Sequence, residues 1–245
     1  MTLAPQFVPT PSGATIALYE AGEGPRQLFM IGGRGGDPVT ATPAAQAIEE
    51  AAALGLRVTW MEIAGCGASS RDRMPTMDGW IADVEHIFAE RIGAPAIWVG
   101  SSIGAWLMLV VQAGNPGWFR SMCALAPAID WDQQYVKPGL LAERLGFTDI
   151  YVTTADGTPL IHRDTVVSMA PYHLLGRELR LAAPLHVVYS GRDEMAPAQP
   201  LRQFFARATG ATCSAMFYPE GDHRVAKLDP APVRAHFLQW LALQP

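Results

Sequence analysis

Apolar residues are distributed along the chain in two alternating patterns. Short apolar runs bounded by turn residues occur at 28–31, 56–63, 96–100, 121–125, 185–189 and 213–218, and each predicts a buried strand. Residues 7–20 predict an opening hairpin with Pro11, Ser12 and Gly13 at its turn. Between these runs lie segments with helical spacing. Residues 41–54 are alanine-rich, and Trp80, Ile81, Val84, Ile87 and Phe88 share one helix face. Residues 103–112 form an apolar helical stretch, and Val233, Phe237, Trp240 and Leu241 form the apolar face of a last helix. Strands alternating with helices predict an α/β fold, with a mostly parallel eight-stranded sheet covered by helices on both faces. The alternation breaks at 128–183, where aromatics, charges and Gly or Pro interruptions are scattered. That segment is expected to be an inserted cap within one domain spanning 1–245, lying over the carboxyl ends of the strands, where such sheets bind ligands.

Composition agrees with a large buried core. The 245 residues are 49% hydrophobic and 17% charged, which excludes a largely disordered chain. The formal net charge is −5 and Lys and Arg do not cluster, so no nucleic acid, polyanion or anionic membrane surface is expected as partner. Cys66, Cys123 and Cys213 are odd in number and widely spaced, which suggests neither a disulfide framework nor a zinc cluster, and no metal site is expected. The first residues lack a basic segment followed by an apolar core, so no signal peptide is read and a cytoplasmic location is the expectation. The uncharged stretch 92–119 carries Gly100, Ser101, Ser102 and Gly104 near its middle. It therefore reads as strand, sharp turn and helix rather than as a membrane span.

That turn carries the first chemical signal. Gly100-Ser101-Ser102-Ile103-Gly104 matches G-x-S-x-G, with a strand pattern before it and a helix pattern after it. A serine presented on such a turn must take a strained backbone conformation, and residues two before and two after it crowd neighbouring backbone, which favours glycine. The positive end of the following helix favours negative charge developing beside Ser102.

A serine hydroxyl needs a base, and the base needs an orienting carboxylate. Asp193 follows the 185–189 run in a Gly-containing turn before Pro197, with Glu194 as the neighbouring rival. His223 follows the 213–218 run in a short loop. The order Ser102, Asp193, His223 suits a catalytic triad on a doubly covered α/β sheet. His86 and His236 fall on predicted helices, His186 at a strand start, and His162 and His173 in the expected cap. A tetrahedral oxyanion needs about two N–H donors. The backbone N–H groups of Ile103 and of Arg34, in the glycine-rich loop 32–36, are the candidates, and neither nucleotide-loop pattern matches that loop.

With these residues in place, the chain from about residue 13 onward resembles the α/β-hydrolase superfamily. It is most similar to the branch that holds bacterial carboxylesterases and the mitochondrial palmitoyl-protein thioesterase and acyl-glucuronide esterase. The resemblance rests on residues 65–69, Trp80 with Asp83, residues 99–106, 191–193 and 221–224, and within the cap on 155–157 and 161–163. It implies Ser102 as nucleophile, Asp193 as acid, His223 as base, and hydrolysis of an ester or thioester without a cofactor. Two departures stand out. Gly32-Gly33 replaces the usual His-Gly of the oxyanion loop, with the Arg34 side chain where an apolar one is common, and Cys66 replaces a frequent His.

The function expected is a serine hydrolase acting on a small-molecule acyl substrate. Trp131, Tyr135 and Tyr172 of the cap are candidate pocket residues, with cap packing as the other reading. A carbon–carbon bond hydrolase, a lactonase or an acyltransferase would use the same triad, and a non-catalytic binding protein would have no need of it.

Overall fold

In a computed structural model, residues 3–35, 38–70, 75–133, 150–153 and 159–245 are described. The opening hairpin pairs β1 (Gln6–Pro9) with β2 (Thr15–Ala21) in antiparallel register. Then follow β3 (Arg26–Ile31), α1 (Ala44–Ala53), β4 (Leu56–Met61), α2 (Met77–Arg91), β5 (Ala96–Ser101), α3 (Ile103–Gly114) and β6 (Phe119–Leu125). Between β6 and the next long strand lie an antiparallel pair, β7 (Ile150–Thr153) and β8 (Pro159–His162), then α4 (Arg163–Met169) and the two-residue β9 (Leu179–Arg180). The chain ends with β10 (Leu185–Ser190), α5 (Ala198–Phe205), β11 (Ala208–Thr209), β12 (Cys213–Tyr218) and α6 (Ala231–Ala242).

Eight strands form one sheet in the order β1-β2-β4-β3-β5-β6-β10-β12. From β4 to β12 every neighbouring pair is parallel, and β2 runs against both of its neighbours. All the runs expected to be strands therefore join one sheet. The two-residue β9 and β11 pair separately, and elements so short leave no periodic signal in the sequence.

Two apolar layers cover the two faces. Phe29, Trp98, Leu107 and Phe88 belong to the layer under α2 and α3. Met30, Val99, Ile48 and Phe237 belong to the layer under α1 and α6. The helices bury what their spacing dictates. In α1 these are Ala44, Ala47, Ile48 and Ala51, and in α6 Val233, Phe237 and Leu241. Trp240 and Ile81 are only half-buried at the margins of their helix faces. Residues 103 through 109 of α3 are all buried, as an uncharged apolar helix must be.

Two boundaries differ from the sequence expectation. Helix α1 begins at Ala44 rather than 41, because Pro43, which has no N–H and a fixed φ, occupies its N-cap after a separate turn of 3-10 helix at Val39–Ala41. Strand β4 ends at Met61 rather than 63. The carboxylate of Glu62 turns inward there, accepting the backbone N–H groups of Val39 and of Ala68 (2.6 Å).

Register brings the strand ends together. Ile31 lies beside Gly100, Ser101 beside Leu125, and Ser190 beside Tyr218. The loops that follow β3, β5, β10 and β12 therefore emerge along one edge of the sheet. The segment between β6 and β10 contacts α2: Thr165 Oγ1 donates to the Pro75 carbonyl (2.5 Å) and Ser168 Oγ accepts the Met77 N–H (2.8 Å).

Candidate active site

Ser102 stands between β5 and α3 with φ 52° and ψ −119°, a region a non-glycine residue occupies only when its surroundings hold it there. Three hydrogen bonds do so. Its N–H donates to the Leu125 carbonyl (2.8 Å), and its carbonyl accepts from Ala105 and Ala128 (both 3.1 Å). The flanking glycines are required sterically. A Cβ at Gly100 would sit 2.4 Å from Ala105 Cα, and one at Gly104 would sit 2.5 Å from the Ile31 carbonyl oxygen.

Ser102 Oγ lies 3.0 Å from Nε2 of His223. Nδ1 of His223 lies 2.8 Å from Oδ2 and 3.0 Å from Oδ1 of Asp193. Asp193 is buried, and its Oδ1 also accepts the N–H groups of Met195 (2.9 Å) and Ala196 (2.8 Å). Glu194, the neighbouring carboxylate, is exposed. The loops carrying Asp193 and His223 are tied together, since Ser190 Oγ donates to the Asp222 carbonyl (2.9 Å) and the Arg192 N–H to the Gly221 carbonyl (2.9 Å). Asp222 in turn caps the 3-10 turn His223–Lys227 by accepting the Arg224 N–H. Ser101, the other hydroxyl of the motif, points elsewhere and donates to the Ala226 carbonyl (2.5 Å).

Ile103 opens α3, where the first N–H groups lack an intrahelical acceptor. Arg34 lines a cleft together with Gly32, Gly33, Ser102 and His223. A Cβ on Gly33 would lie 2.8 Å from Ser102 Cβ, so the glycine loop approaches the serine as closely as backbone allows. The Arg34 guanidinium lies 5.9 Å from the centroid of the Trp131 ring, and burial lowers its pKa to about 10.

The aromatics expected in a cap divide. Trp131 is buried under Arg34 and is not part of the cleft lining. Tyr172 is held away from the cleft: its hydroxyl donates to Asp78 of α2 (2.6 Å), a bond that pushes its phenol up to about 12. Its carbonyl accepts the Trp106 Nε1–H (3.1 Å). Tyr135 lies outside the described residues. His173 meets Asp132 (2.6 Å) and His186 meets His236 (2.8 Å), whereas the ring in hydrogen-bond reach of Ser102 is that of His223.

The cleft lining also includes residues that the sequence did not single out, among them Trp60, Glu62 and Lys227. Trp60 and Glu62 alternate at the end of a strand beside the glycine loop, a period-two signal that could have marked them. Lys227 carries no such mark. Cys66 also lines the cleft and is buried. Among the described residues no cluster of three or more His, Cys, Asp or Glu could hold a metal ion, and no helix is long and apolar enough to cross a membrane.

No family model matches the chain. It is 24% identical over 189 residues to the mouse protein named palmitoyl-protein thioesterase ABHD10, mitochondrial, covering 74% of this chain and 64% of that one. The human protein of that name matches at the same identity, with 62% of its length covered. The chain thus spans a little under two thirds of the curated relatives it matches. Among solved structures, the mouse alpha/beta hydrolase domain-containing protein 10 superposes with a TM-score of 0.80 at 21% identity, covering 97% of this chain and 96% of that one. The fold is that of the α/β-hydrolases. A second such structure, from Agrobacterium vitis S4, has a TM-score of 0.83 at 20% identity, covering 99% of this chain and all of the other. The α/β-hydrolase resemblance drawn from the motif around Ser102 and the loops at Asp193 and His223 is thus matched by the three-dimensional architecture.

Proposed function

We propose that the chain is a serine hydrolase that cleaves carboxylic esters or thioesters of small molecules through an acyl-enzyme on Ser102, with 128–183 as a cap. The observation that carries this reading is the hydrogen-bonded run from Ser102 Oγ through His223 to the buried Asp193 carboxylate. His223 Nε2 takes the hydroxyl proton as Oγ attacks the carbonyl carbon. Its Nδ1–H donates to Asp193, which fixes the tautomer and stabilises the imidazolium. The N–H groups of Ile103 and Arg34 receive the developing oxyanion. His223 then protonates the leaving alkoxide or thiolate. Water, deprotonated by His223, next attacks the acyl carbon, releasing the acid and restoring Ser102. The name palmitoyl-protein thioesterase, borne by relatives of 24% identity, supports an ester or thioester as the scissile bond.

The test is hydrolysis of a 4-nitrophenyl ester series by wild type and Ser102→Ala. Turnover by the wild type is expected, with kcat/KM lower in the variant by roughly three orders of magnitude or more. Equal turnover by both proteins overturns the assignment of Ser102.

A further inference from the structure

The cleft beside Ser102 has a lining that seeks hydrogen-bond acceptors and negative charge. Arg34 is one of its lining residues, its guanidinium lies 5.9 Å from the centroid of the Trp131 ring, and no carboxylate among the described residues pairs with it. Trp60 is 6% exposed, and its indole N–H has no hydrogen-bond partner among the described residues. Lys227, exposed on the same cleft, forms no ion pair among the described residues. Glu62, the one carboxylate among the described lining residues, is engaged by the N–H groups of Val39 and Ala68 and by the Tyr19 hydroxyl. The described lining residues therefore include two cations, Arg34 and Lys227, against one occupied carboxylate. A desolvated guanidinium without a counter-charge and a buried N–H without an acceptor each cost free energy that an anionic ligand would recover.

We propose that this cleft receives an anionic end of the substrate, so that the preferred ester or thioester carries a carboxylate held by the Arg34 guanidinium and the Trp60 indole N–H. This rests on the serine-hydrolase reading and adds the substrate class. A planar guanidinium suits a carboxylate because it can donate two parallel hydrogen bonds, and the indole N–H supplies a third. Lys227 adds attraction at the mouth, which salt screens.

The experiment compares matched neutral and anionic esters. 4-Nitrophenyl hexanoate against 4-nitrophenyl hydrogen adipate places the charge on the acyl side. Phenyl hexanoate against 4-carboxyphenyl hexanoate places it on the leaving group. In at least one pair the wild type should favour the anionic member in kcat/KM by about tenfold or more. That ratio should fall to near unity in Arg34→Gln and by several-fold in Trp60→Phe, and shrink as ionic strength rises. A ratio tracks selectivity even if both substrates lose rate through the Arg34 backbone. A wild-type ratio near unity in both pairs, with Ser102→Ala inactive on all four esters, overturns this proposal and leaves the hydrolase reading standing. Calorimetric binding of monoethyl adipate to Ser102→Ala, compared with Ser102→Ala/Arg34→Gln, reads the anion site without turnover. Equal affinity in the two proteins counts against the proposal even where no ester is hydrolysed.

Discussion

His223 and Asp193 are bound edge to edge, with Nδ1 of the imidazole 2.8 Å from one carboxylate oxygen and 3.0 Å from the other. The Asp193 side chain has no solvent exposure, whereas about a quarter of His223 remains exposed (27%). Asp193→Asn keeps the shape and one oxygen for the Met195 and Ala196 N–H groups, but it presents an amide that favours the wrong imidazole tautomer. The expected result is a fall in kcat/KM of roughly 10³ to 10⁴ with the fold retained. Ester kinetics alongside circular dichroism check both parts.

Ser101 and Ser102 are adjacent hydroxyls with different partners, the Ala226 carbonyl and the His223 ring. Ser101→Ala should keep kcat/KM within a few-fold while lowering stability by about 1–2 kcal/mol, because the buried Ala226 carbonyl loses its donor. Urea denaturation and ester turnover, measured on the same preparation, separate the two effects. Loss of all activity with stability intact would show that Ser101 takes part in the chemistry.

Gly104 packs against the end of β3. A Cβ there would lie 2.5 Å from the Ile31 carbonyl oxygen and 2.6 Å from that of Gly32, and both are backbone atoms that cannot swing aside. Gly104→Ala should therefore displace the glycine loop from Ser102. The expected cost is about 1–3 kcal/mol of stability and a loss of turnover larger than that of Ser101→Ala. A denaturation midpoint unchanged from the wild type would contradict the packing argument.

His186 lies in β10 with Nδ1 2.9 Å from Ser214 Oγ and Nε2 2.8 Å from Nε2 of His236, and its ring stacks on Trp240. Burial, and then the charge of His236, lower its pKa from 6.5 to about 4. The folded state thus binds the proton more weakly than the unfolded state does. Stability from this site is full above pH 6.5 and is lost as pH falls from there toward about 4. The His186→Leu variant should flatten that part of the stability curve, whatever it does to stability at neutral pH. Urea midpoints at pH 7.5, 5.5 and 4.5 read the slope directly.

What the sequence by itself determined is local. Apolar runs of strand length alternating with helical spacing specify strands and helices without knowledge of their neighbours, so the strands at 28–31 and 96–100 and the helix at 103–112 could be read directly. The glycines around Ser102 are legible for the same reason, because the turn that strains the serine is five residues long. Tertiary structure decided what depends on register between distant segments. It set the Asp193 carboxylate and the Ser102 hydroxyl against one His223 ring, the latter across 121 residues of chain. It also moved Tyr172 onto Asp78 and brought Trp60, Glu62 and Lys227 into the cleft. Periodicity tells which face of an element is buried. The parallel register of β3, β5, β10 and β12 tells which loops share one edge of the sheet, and that sharing is produced by packing over the whole core rather than by any single segment.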